Sequence, residues 1–130
     1  MSQLHQLVPL SDEMRGAQFT AFLGGPVPDG VRLGRYPTAD EIRAAFGRLN
    51  ESVRRMVQDK SGKSWSLAVM DGTHEALRID ARLRGQTEML FTVSGDRHLL
   101  EALVAQLPRN CGSFLIMTDG QNPVIVTAEG

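Results

Sequence analysis

The chain has a single cysteine, Cys111, so no intrachain disulfide can staple it, and a reducing compartment suits it best. No apolar run approaches the ~20 residues that cross a bilayer as a helix. The opening stretch MSQLHQLVPLSDEMRG lacks the basic head and continuous apolar centre of a secretory signal. An excess of either charge is also missing, since 14 basic residues against 15 acidic ones leave a net charge of −1. That balance excludes the electrostatic footprint of a nucleic-acid or anionic-membrane binder. Aromatic residues make up only 5% of the chain, and positive charge is carried almost entirely by arginine, a side chain suited to bidentate recognition. The expectation is a cytoplasmic protein.

What is present suffices for one domain. With 130 residues, 42% of them hydrophobic, the chain can bury roughly two-thirds of its unfolded surface and needs no metal to hold it. Residues 1–37 contain the breaker cluster Gly24-Gly25-Pro26-Val27-Pro28-Asp29-Gly30 and no sustained periodicity. They read as an irregular N-terminal arm packed on the core, ahead of a single α+β domain over 38–130.

Thr38 and Glu41 form a capping box at a helix start. Ile42, Ala45, Phe46, Leu49, Val53, Met56 and Val57 continue at helical steps, which predicts one long helix ending near Gly62, with Arg54 and Arg55 on its polar side. Three strands follow, with Trp65-Leu67-Val69, Leu77-Ile79-Ala81-Leu83 and Met89-Phe91-Val93 as their core faces. A two-residue Asp71-Gly72 turn would set apolar against charged side chains, because a slip of one residue turns every side chain over. A three-residue Met70-Asp71-Gly72 loop instead predicts Trp65 opposite Leu77, and an Arg84-Gly85-Gln86 loop predicts Arg82 opposite Glu88. A second helix opens at Ser94-Gly95-Asp96 and stops at Pro108, and strands at about 112–118 and 123–128 close the chain. The expected fold is an α+β two-layer sandwich. Its antiparallel sheet carries two helices on one face, in the order α-β-β-β-α-β-β after the irregular segment.

Motifs that carry chemistry are absent. Ser61-Gly62-Lys63-Ser64 resembles the tail of a phosphate-binding loop, but position 57 is Val where that motif needs Gly, and no helix follows. His5, His74 and His98 have no metal-ligand spacing. Cys111 follows a helix C-terminus, where the dipole disfavours a thiolate, and reads as structural even with His98 as a candidate base. No catalytic residue, cofactor or metal is expected. The solvent face of the sheet offers Arg78, Asp80, Arg82 and Glu88 among small residues, a mixed surface suited to a protein partner. Arg54 and Arg55 would form a second binding surface on the first helix.

The element order resembles that of class I type III secretion chaperones, which bind an unfolded effector segment, and that of small immunity proteins that neutralise toxins. The resemblance is one of topology, without a shared motif, and class I chaperones end on a further helix. It implies a non-catalytic binding module of inhibitor, immunity or chaperone type, whose partner is a toxin- or effector-class protein, with a homodimer through the same face as a variant. The alternative expectation is a small-ligand binder or small enzyme, with its pocket between the sheet and the N-terminal Gly/Pro segment.

Overall fold

A computed structural model describes residues 3–10, 30–49, 55–61, 64–84 and 88–130. Within these, seven strands and two α-helices form an α+β fold with the coarse order expected, helix, strands, helix, strands. The strands are β1 (Leu4–Pro9), β2 (Arg55–Ser61), β3 (Ser64–Asp71), β4 (His74–Arg84), β5 (Glu88–Gly95), β6 (Ser113–Thr118) and β7 (Val124–Thr127). The helices are α1 (Ala39–Arg48) and α2 (Arg97–Ala105), and a 3₁₀ turn spans Arg109–Cys111. The strands make one antiparallel sheet in the order β2-β3-β4-β5-β1-β6-β7.

The N-terminal segment, expected to be irregular, supplies β1, which sits between β5 and β6. His5 pairs with both Val93 and Thr118, so β1 bridges the two halves of the sheet. Six residues with a proline at the end gave a periodicity window too short to separate from loop.

The capping box is formed, with the Glu41 amide donating to Thr38 Oγ1 at 3.2 Å and the Thr38 amide to Glu41 Oε1 at 2.9 Å. The helix it opens is shorter than expected and ends at Arg48, while 55–61 is strand rather than helix. Asn50 and Ser52 are poor helix-interior residues because their side chains compete for the backbone. The apolar spacing of Met56 and Val57 therefore served a strand edge as readily as a helix face. Ser61 pairs with Ser64, so the segment resembling a phosphate loop joins two strands.

In the β3–β4 hairpin the faces are as expected, but the partners differ. Trp65 pairs with Ala81, Leu67 with Ile79 and Val69 with Leu77, and a bulge then shifts Met70 onto Glu75 and Asp71 onto His74. The turn itself has two residues, with Gly72 at φ 64°. A two-residue turn alone would invert the faces, and the extra residue of the bulge, Ala76, restores them. The β4–β5 register is likewise displaced, pairing Ala81 with Phe91, Arg82 with Leu90 and Arg84 with Glu88, so Arg82 does not face Glu88.

Both helices cover one face of the sheet. Ile42 and Ala45 of α1 and Leu99, Leu100, Leu103 and Val104 of α2 join Leu7, Leu67, Leu77, Ile79, Val93, Phe114 and Ile116 in one buried cluster. Tyr36 stacks on Phe91 at 4.4 Å between centroids, and Trp65 meets the same ring edge-on at 5.4 Å. A small second cluster, Leu10 and Leu115 with Val31, Met117 and Ile125, covers the opposite face at the β6–β7 end. Because β6 is covered on both sides, Phe114, Leu115 and Ile116 are all buried, which is why it reads as a continuous apolar run.

The residues after Gly30 are stitched into the sheet end. Arg32 exchanges backbone and side-chain hydrogen bonds with Ser113, the Gly34 amide donates to Leu10 O at 2.8 Å, and the Arg35 amide to Cys111 O at 3.1 Å. At the other end of the chain, the Glu129 and Gly130 amides donate to Ala105 and Leu107, satisfying carbonyls at the α2 terminus.

Candidate functional site

The face of the sheet turned away from the helices is open over β2–β5. Along each strand alternate residues point to it, and the register aligns them into rows. One row runs Val57, Ala68, Arg78, Ser94, Leu4, and the next runs Asp59, Ser66, Asp80, Thr92, Gln6. The first row mixes Arg78 and Ser94 with apolar side chains, and the second is polar with two carboxylates.

Arg78 is the organising side chain. Its Nη1 lies 3.3 Å from Glu75 Oε2, its Nε 3.3 Å from Asp80 Oδ1, and its Nη2 3.3 Å from Ser66 Oγ. Burial works against its charge, but the Asp80 and Glu75 carboxylates outweigh this and hold the guanidinium above its ordinary value. The side chain remains 38% exposed, so these contacts orient it without withdrawing it from solvent.

Arg78 also lines a shallow groove of about 240 Å³ with Asp59, Lys60, Ser66, Asp80 and Arg82. Three cations and two carboxylates line it. Such a surface complements a protein face of mixed charge better than a polyanion.

Arg78, Asp80 and Arg82 therefore lie together on one face, with Arg82 exposed. Arg55 is not part of a second, helical surface: it lies on the edge strand β2 opposite Met70, on this same face. Arg54 and the Glu88 side chain lie outside the described residues. Glu75 and Ser66 join the cluster although parity alone would send Glu75 to the core. The bulge turns Glu75 outward and Ala76 inward, where it packs against the main core. The only forewarning was the Gly72 turn, whose length parity made incompatible with an unbroken ladder.

Of the histidines and the cysteine, His5 and Cys111 are buried in the scaffold. His5 is 1% exposed, its Nε2–H donating to Gly95 O at 2.9 Å while Nδ1 lies 2.7 Å from Thr118 Oγ1. A carbonyl only accepts, so Nε2 carries a proton. Cys111 is buried with Sγ 3.9 Å from Glu41 Oε2, and burial together with that carboxylate pushes the thiol up. His98 stands on the first turn of α2, about 10 Å of helix away from the end that Cys111 follows, and leans on Glu101 at 3.7 Å. Among the described residues, no three His, Cys, Asp or Glu side chains could jointly hold a metal ion, and no helix is long and apolar enough to cross a membrane. The pocket expected under the N-terminal Gly/Pro segment involves residues 24–29, which lie outside the described residues.

No protein family, curated protein or solved structure matches the chain.

Proposed function

We propose that this chain is a cytoplasmic protein-binding module without catalytic activity, of inhibitor, immunity or secretion-chaperone type. It engages a toxin- or effector-class protein through the open face of its sheet. The observation that carries this reading is the Arg78 cluster. A half-exposed guanidinium is pre-oriented by Glu75, Asp80 and Ser66 on a shallow, mixed-charge surface rather than in an enclosed pocket. Pre-orientation lowers the entropy lost when a partner's carboxylate or backbone carbonyl docks there, and arginine is among the side chains favoured at interface hot spots.

The test is affinity capture from the native lysate with the wild-type chain and the R78E/R82E variant side by side, read by mass spectrometry. Wild type should retain a protein that the variant loses by about tenfold or more. A variant that melts like wild type and captures the same protein equally well overturns the assignment of the site.

A further inference from the structure

The geometry points to a second copy of this chain as the occupant of the β2 edge, added antiparallel about a two-fold axis through Val57. Strand β2 ends the sheet, so one side of its backbone has no partner strand among the described residues. Edges of this kind are pairing templates unless their side chains forbid it.

On the open face β2 presents Arg55, Val57 and Asp59, all exposed, with Val57 at 40%. Their neighbours on β3, Met70, Ala68 and Ser66, carry no charge, and although Asp59 shares a groove with Arg78 and Arg82, the Arg78 ion pairs go to Glu75 and Asp80. Arg55 and Asp59 are about 13 Å apart along their own strand, too far to pair with each other.

A two-fold perpendicular to the sheet keeps the open face of one copy continuous with that of the other. It therefore permits only registers that oppose residues of the same face. Centring on Val57 sets Arg55 against Asp59 of the second copy, Asp59 against its Arg55, and Val57 against Val57. Centring one residue later opposes Val57 to Asp59, and centring on Asp59 brings like charges together. One register alone satisfies both charges and covers the exposed valine. The dimer would carry one sheet of fourteen strands, with its two Arg78 clusters on the same side and roughly 25 Å apart, five strand spacings.

The experiment is sedimentation equilibrium over a concentration series with the purified chain alone, so its failure leaves the Arg78 reading untouched. Wild type should reach twice the 14.3 kDa chain mass. R55D and D59R should each weaken association by about tenfold, and the R55D/D59R double variant should restore it. In parallel, V57C should form an interchain disulfide under mild oxidation, whereas L4C, exposed on the same face but within the sheet, should not. A wild-type monomer at every concentration overturns the proposal. So does a double variant no better than the single ones, or an L4C chain that cross-links as fast as V57C.

Discussion

Gly34 and Gly112 approach so closely that neither can carry a side chain. A Cβ on Gly34 would lie 1.8 Å from the Cys111 carbonyl oxygen, and one on Gly112 would lie 2.5 Å from that of Leu33. The obstacles are backbone atoms, the Cys111 carbonyl being held by the Arg35 amide as well, so they cannot swing aside as a side chain would. G34A should cost about 3 kcal/mol or more, whereas G47A, in open space on α1, should stabilise by ~0.5–1 kcal/mol. Urea unfolding of both variants measures the contrast. A second single-residue consequence concerns acid. Glu41 is held from its ordinary 4.5 down to about 2, chiefly by hydrogen bonds from Arg35, with burial opposing and the Thr38 amide assisting. Its oxygens meet the guanidinium at 2.7 and 2.8 Å. The folded chain thus keeps this carboxylate ionised more readily than the unfolded one. The pair stabilises in full above about pH 4.5 and loses that contribution as the pH falls towards 2. Since Arg35 is nearly half exposed, screening reduces the contribution to about 1 kcal/mol. E41Q should show a flatter decline of stability than wild type between pH 4.5 and 2, and equal slopes would refute the pairing.

Strand β1 has the largest structural consequence for its size. It joins β5 to β6, and its removal would leave two antiparallel pieces with unpaired edges on both sides of the gap. A chain lacking residues 1–10 should therefore lose cooperative unfolding altogether, rather than shed a peripheral arm. Near-ultraviolet circular dichroism and the width of the thermal transition would show it. Retention of a sharp transition would mean that the sheet closes without this strand. The two helix starts were legible because a cap is a local event: Thr38 with Glu41, and Asp96, whose carboxylate takes the His98 amide at 2.9 Å. The end of α1 was not legible. From Arg55 to Val57 the residues fit either period, and pairing with β3 decides between them.

Across the whole molecule the same sheet has a covered side and an open one, and charge sorts between them. Because Arg82 stands exposed, R82E should shift stability by no more than ~0.5 kcal/mol, while R78E places a third carboxylate beside Glu75 and Asp80 and should cost about 1 kcal/mol. Thermal melts of the single variants provide the control that the capture experiment needs, and a loss several times larger would place Arg78 in the scaffold instead of at a binding surface. Fold class, both helix starts, the inward placement of Leu67, Ile79 and Phe91 on β3 to β5 and the membership of Arg78, Asp80 and Arg82 in one face all follow from the order of residues. Each depends on periods and caps that act over a few positions. The seat of β1, the strand at 55–61, the outward turn of Glu75 and the arrival of Arg55 on the open face were settled only by tertiary structure. Each depends on which strand lies alongside, or on one extra residue in a ladder. Local sequence carries no signal for a neighbour a hundred residues away.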